Sequence, residues 1–268
     1  MEESIMEFTI NSTISVETTP TGVAVLSLNR PEQWNAVNDD MLRNMESIQN
    51  QIILEGSIRA VLIKANGSHF SVGMDLNAIK TFGSRFSLNR IAWLQAVYGR
   101  WQEMPVPVVA AVQGYCIGSG IEMILGCDIR IAAENARFRL PEVSLGLSPD
   151  MGGTTRLTKL VGIGQAKRLI MGCQEIKAQE ALNLGLVEEV VKEEELEARA
   201  LELTEKMAAY PPLAMGWAKK GINMAQENST AAALLFEQAQ SSSCFSSEDL
   251  KEAVAAFMEK RKPQFKGR

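Results

Sequence analysis

Apolar runs of six or seven residues alternate with amphipathic stretches through the first two-thirds of the chain, and amphipathic stretches alone fill the rest. Residues 22–28 and 59–65 are rich in branched apolar side chains and bounded by polar ones, which predicts two strands. The first stops at Asn29-Arg30-Pro31, because proline cannot continue a strand ladder. Between them, Met41, Leu42, Met45, Ile48, Ile52 and Ile53 recur at helical spacing over residues 39–54. Strand, helix, strand predicts a parallel crossover. Residues 107–112 and 128–133 form two more strand-like runs, separated by a glycine-rich turn and a predicted helix over about 120–126. Runs apolar at nearly every position suit a sheet covered on both faces. Residues 66–104 read as a loop followed by a helix.

From residue 163 the spacing predicts helices over 164–171, 178–184, 193–209, 213–226, 230–240 and 247–260, with 186–191 strand-like. Pro211-Pro212 separates two of them. The expectation is an α/β protein with a core over 1–192 and a helical region over 193–268. No repeat of solenoid period and no low-complexity segment interrupts it.

Composition removes several functional classes. The 268 residues carry 27 Lys and Arg against 32 Asp and Glu, a net charge of −5 that argues against a nucleic-acid partner. The single histidine, His69, cannot make an HExxH metal site. No histidine follows Gly114-Tyr115-Cys116-Ile117-Gly118 either, so the GxCxG spelling is not a working nucleophile elbow. Cys116, Cys127, Cys173 and Cys244 contain no CxxC pair, which excludes a zinc ribbon and favours buried thiols in a reducing compartment. Met1-Glu2-Glu3-Ser4 lacks the basic start of a signal peptide, and no stretch approaches the roughly 20 apolar residues of a membrane span. The expected location is the cytosol, with no membrane partner, no metal and no redox cofactor.

Candidate chemistry centres on the turn Gly114-x-x-x-Gly118-x-Gly120, where a strand opens into a helix and backbone amides can approach an anion or an oxyanion. Its glycine order is not that of a dinucleotide site, and with no Gly-Lys pair in the chain a P-loop is out. Tight strand–helix packing would ask for the same small residues. Glu122 and Glu142 each sit among apolar neighbours, where a carboxylate costs free energy unless it caps a helix or works. Two such groups around one water can divide acid and base roles. Asp150 is a third acid or a turn residue. The loop over 70–76 places permissive Gly73 beside turn-forming Asp75, so it can aim an N–H outward or simply turn. The tail over 257–268 has five basic residues and one acid, fit for a phosphate-bearing ligand or for plain solvation.

Several of these words together resemble the crotonase superfamily, the enoyl-CoA hydratase/isomerase proteins. They are Leu28-Asn29-Arg30-Pro31-x-x-x-Asn35-Ala36, Phe70-Ser71-x-Gly73-x-Asp75-Leu76, Gly118-Ser119-Gly120-Ile121-Glu122 with Cys127-Asp128, and Pro141-Glu142-x-x-x-Gly146 through Gly152-Gly153-x-x-Arg156-Leu157. The closing Lys260-Arg261-Lys262-Pro263-x-Phe265 is similar too. The resemblance implies a spiral of ββα units whose C-terminal helices mediate trimerisation, with trimers pairing as hexamers. It implies an acyl-CoA thioester whose carbonyl is polarised by the backbone N–H groups of Met74 and Ser119. Coenzyme A would be held by the backbone of Asn35, Ala36 and Val37, by the loop of Val72, Gly73, Asp75 and Leu76, by Gly118, and by basic tail residues such as Lys260.

Glutamates at both Glu122 and Glu142 are those with which family members add water across a 2,3-double bond, so hydration is the favoured reading. An acid at Asp150, where typical hydratases carry glycine, resembles the dienoyl-CoA isomerases and supplies the alternative, a double-bond isomerase using Glu142 and Asp150. Ser119 also departs from the usual glycine. A non-catalytic CoA-binding protein is disfavoured by the two glutamates. The acyl pocket is expected to draw on residues 80–104, with Phe82, Phe86, Trp93 and Trp101 as candidate walls.

Overall fold

The first two predicted strands pair in parallel in the computed structural model, which describes residues 12–80 and 87–268. They are β2 (Val23–Leu28) and β3 (Ala60–Ala65), joined by α1 (Asp39–Glu55). Asn38 caps α1 by accepting from Met41 N at 3.0 Å, and Gly56 ends it in the left-handed conformation. The helix buries Met41, Leu42, Met45, Ile48 and Ile52, whereas Ile53 is exposed on its other side. Ahead of β2, β1 (Ile14–Thr18) adds an antiparallel edge strand that the apolar pattern did not reveal.

The chain continues through α2 (Leu76–Ile79), α3 (Ser87–Glu103), β4 (Val108–Val112), β5 (Tyr115–Ile117), α4 (Ser119–Ile124), β6 (Ile129–Ala133) and β7 (Arg137–Arg139). After these come α5 (Thr155–Val161), α6 (Ile163–Met171), β8 (Ile176–Lys177), α7 (Ala178–Leu184) and β9 (Glu189–Val191). The larger sheet has the order β1-β2-β3-β4-β6-β9, and β5, β7 and β8 form a smaller one. An isolated bridge between Ser71 and Cys116 ties the chain after β3 to the small sheet as well. Each turn therefore lays one strand in the large sheet, a short piece in the small one, and then a helix. That is a ββα spiral. Helix α5 begins eight residues before 163, where the sequence pattern first predicts the helical part.

Both faces of the large sheet are covered, as its apolar strands require. On one side lie α1 and α3; on the other, Val23, Ala60, Leu62, Val109, Ala111, Ile131 and Ala133 pack against Leu196, Ala200 and Ala208 of α8 (Leu196–Ala208). The core thus runs past residue 192 to the end of α8. Three further helices follow, α9 (Pro212–Glu227), α10 (Thr230–Phe245) and α11 (Glu248–Glu259). Buried Lys219 pins α9 to the core, donating to Trp101 O (2.7 Å), Val106 O (2.9 Å) and Asp128 Oδ2 (2.7 Å). Among the described residues no helix is long and apolar enough to cross a membrane.

Candidate active site

Two loops meet where β5 runs into α4. In the first, Val37 N donates to Gly73 O and Asp75 N to Val37 O, each at 2.8 Å. This alternation turns the intervening Met74 N–H the other way, where it has no acceptor among the described residues. In the second, Gly118 adopts φ +54° and swings the chain from β5 into α4, so Ser119 becomes the first residue of the helix. A first-turn amide has no partner inside its helix, and Ser119 N–H finds none elsewhere among the described residues. The loops touch: a Cβ on Gly73 (φ +92°) would lie 2.9 Å from Ile117 O and 3.5 Å from Ser119 N. Only glycine fits there. Met74 and Ser119 both line one cavity of about 240 Å³.

Glu122 stands in the first turn of α4 and is almost wholly buried. Its Oε1 accepts from Met151 N (2.8 Å) and Gly153 N (2.9 Å), which leaves Oε2 to the cavity. Burial pushes the Glu122 carboxyl up to about 7, against the pull of those two amides, and nearby Glu142 and Asp150 add to the rise. Glu142 opens the 3-10 turn Glu142–Leu145 after Pro141. A Cβ on Gly118 would come within 2.8 Å of Glu142 Oε1, while Oε2 is buried with no hydrogen-bond partner. Desolvation raises this carboxyl too, with a further push from Asp150. Asp150 lines the same cavity from a more open position, and partial burial raises its carboxyl. Ile79, Ile91, Leu94, Leu145 and Leu147 complete an apolar wall.

The structure thus gathers Val72, Gly73, Met74, Leu76, Gly118, Ser119, Glu122, Glu142 and Asp150 around one space. It does not bring the remaining expected residues to that wall. The amides of Asn35, Ala36 and Val37 already donate to Arg30 O, Gln33 O and Gly73 O, so none is free for a ligand. The Asn35 side chain is buried, donating to Asn66 O and His69 O (both 2.9 Å) and accepting from Arg30 N at 2.8 Å. Asp75 caps α2 and pairs with Arg30 at 3.2 Å. Lys260 ends α11 in the left-handed conformation and does not line the cavity. Trp101 is packed in the core, the Arg90 guanidinium lies over Trp93, and Phe82 and Phe86 fall outside the described residues.

Two contributions went unread in the sequence. The amides of Met151 and Gly153 that hold Glu122 had a signal, the Gly152-Gly153 pair, but nothing local says which carboxylate they face. Leu145 and Leu147 line the cavity from a short irregular stretch with no apolar period to mark them. A larger cavity of about 580 Å³ under α9 is lined by charges matched to one another, Lys219 with Asp128 and Arg130 with Glu188, and offers no comparable set of free groups.

Comparison with known proteins agrees with this architecture. Residues 18–268 match the family model described as enoyl-CoA hydratase/isomerase. A short-chain-enoyl-CoA hydratase of Clostridium acetobutylicum is 41% identical over 252 residues, covering 92% of this chain and 95% of the relative. A 2,3-dehydroadipyl-CoA hydratase of Escherichia coli is 37% identical over 246 residues, 92% of this chain and 96% of the relative. The crystal structure of an enoyl-CoA hydratase from Bacillus anthracis superposes with a TM-score of 0.91 at 35% identity, covering 96% of this chain and all of that one.

Proposed function

The chain belongs to the enoyl-CoA hydratase/isomerase family, and from that premise we propose that it adds water across the 2,3-double bond of an enoyl-CoA thioester. The observation that carries the reading is the convergence on one cavity of two amides without an acceptor among the described residues and two carboxyls raised by burial. The thioester oxygen accepts from Met74 and Ser119 N–H, which stabilise the charge that develops as C3 is attacked, at about 3 kcal/mol per donor. A water between Glu122 and Glu142 gives its oxygen and one hydrogen to C3. Its second proton passes to the ionised carboxylate, while the protonated partner delivers a proton to C2, so one water is added and the pair regains its single proton. Coenzyme A is part of the substrate; no further cofactor enters. The loop over 72–76 and Gly118 line its thioester end.

This division of labour needs one carboxyl protonated and one ionised, a property of the pair. Because the folded Glu122 keeps its proton up to about pH 7, hydration should fall as pH rises beyond that point and the acid is lost. It should also fall toward acid pH, where both groups are protonated. Initial rates on crotonyl-CoA, followed by loss of the conjugated enoyl absorbance, check this; a profile flat from about pH 5 to 9 contradicts it.

Asp150 in the same cavity favours a second reading, proton shuttling between Glu142 and Asp150 along a dienoyl chain. Under the hydratase reading Asp150→Asn keeps crotonyl-CoA turnover within about threefold, since the residue only adds to the local field. Turnover of a 3,5-dienoyl-CoA without hydration of crotonyl-CoA, abolished by the same change, would establish the isomerase instead.

We also assign α9–α11, the part of the region over 193–268 that follows the core, to self-association as a trimer or hexamer. Ile222, Leu235, Phe245, Phe257 and Met258 are exposed on α9–α11, apolar area that association would cover.

A further inference from the structure

We infer that Ser71 is a positioning residue that sets the spacing of the two carbonyl-polarising amides, an inference that rests on the hydratase reading above. Ser71 is completely buried and held by the two loops at once. Its backbone joins β5: Ser71 N donates to Tyr115 O at 3.0 Å and Ile117 N to Ser71 O at 2.9 Å. Those bonds end one residue short of Gly118-Ser119. A Cβ on Gly120 would stand 3.0 Å from Ser71 O and 3.1 Å from Ser71 Cβ, so the first turn of α4 rests directly on this residue.

The hydroxyl handles the other loop. It donates to Asn35 O at 2.8 Å and accepts from Gly73 N at 3.2 Å. Gly73 is the pliable link before Met74, with φ +92° and no side chain to hold it. The peptide after Gly73, which carries the Met74 N–H, is tied through Gly73 O to Val37 N. The peptide before it is tied to Ser71 Oγ. Fixed on both sides, the glycine cannot rotate the Met74 amide away from the cavity. The anchor behind the hydroxyl is itself rigid, because the buried Asn35 side chain makes three hydrogen bonds to the backbone of neighbouring turns. Asn35, expected to meet the ligand with its backbone, thus acts from behind the donor. One buried residue couples the strand that leads to Ser119, through its backbone, with the loop that presents Met74, through its hydroxyl.

A donor must lie within a few tenths of an ångström of its place to serve an oxyanion. Ser71→Ala frees the Gly73 peptide and leaves two buried polar groups unpaired, so kcat on crotonyl-CoA should fall about tenfold while KM stays within about threefold. A direct readout is the infrared carbonyl stretch of bound butyryl-CoA labelled with carbon-13 at the carbonyl, a thioester with no double bond to hydrate. Wild-type protein should lower that frequency on binding, and Ser71→Ala should lose at least about half of the shift. Ser71→Cys, whose thiol is a weak donor and acceptor, should fall between the two and serves the same comparison if the alanine variant does not accumulate folded.

A merely structural role would lower the melting temperature yet leave the carbonyl shift and the turnover per folded molecule as in wild type; that result overturns the inference and leaves the hydratase reading intact. Wild-type protein that neither shifts the carbonyl nor hydrates crotonyl-CoA would instead overturn the reading and the inference with it.

Discussion

Glu122→Gln is expected to slow hydration of crotonyl-CoA by about a thousandfold and, at alkaline pH, to make the protein harder to unfold. The rate loss follows from the proposed hydration, in which Glu122 is one of two groups that exchange protons with the reacting atoms, a contribution of about 10²–10⁴-fold. Glutamine keeps the carbonyl oxygen that accepts from Met151 and Gly153, so the loop that positions this side chain stays in place. The stability gain follows from burial. Unfolded, the carboxyl releases its proton in the usual carboxylate range; folded, it holds the proton to about 7. The wild-type fold is therefore penalised as pH rises between those values, and the penalty persists above them. Glutamine resembles the protonated form and escapes it. The variant's advantage should be negligible near pH 4 and reach about 3 kcal/mol by pH 8. Thermal melts at the two pH values, with initial rates, test both halves. A variant that is slow but no more stable at pH 8 would show that Glu122 is not held protonated by its surroundings.

Ser119→Pro is expected to cut kcat/KM about 10²–10³-fold while the fold survives. Ser119 is the first residue of α4, the helical position where proline is best tolerated because its missing N–H has no intrahelical partner. The preceding Gly118, at φ +54° and ψ −121°, can accommodate the ring as few other residues could. What the change removes is one hydrogen-bond donor facing the cavity, and loss of a single oxyanion donor costs rates of this order. Circular dichroism and a melt within a few degrees of wild type would show that α4 persists. Near-normal turnover in that folded variant would mean that the thioester oxygen does not rest on this amide.

The elements legible in the sequence were those with enough consecutive residues to repeat a pattern. β2, β3, β4, β6 and α1 all showed themselves, because each buries a continuous run or one helical stripe. The pieces of the small sheet did not. β5, β7 and β8 are two or three residues long, too short for a period of two to register, and exist through pairing with segments distant in the chain. Helix α10 runs on to Phe245, past the predicted end at 240, through Ser241-Ser242-Ser243, whose low propensity is outweighed by contacts such as Trp217 Nε1 to Ser243 Oγ at 2.9 Å.

Glu122 and Glu142 stood out in the chain itself as carboxylates among apolar neighbours, Asp150 as a third acid or turn residue, and the turns over 70–76 and 114–120 as places where an amide can face outward; that these amides are those of Met74 and Ser119 was what the family resemblance implied. Their order and chemistry are covalent facts. Whether an amide is free is another kind of fact, since it depends on which carbonyl lies opposite in the folded register. For that reason the amides of Asn35, Ala36 and Val37 read in the sequence like that of Met74, although in the folded register they donate to Arg30 O, Gln33 O and Gly73 O, and nothing local says that Lys260 does not line this cavity. Burial, likewise a property of everything packed around a group, decided that Glu122 would hold its proton to neutral pH.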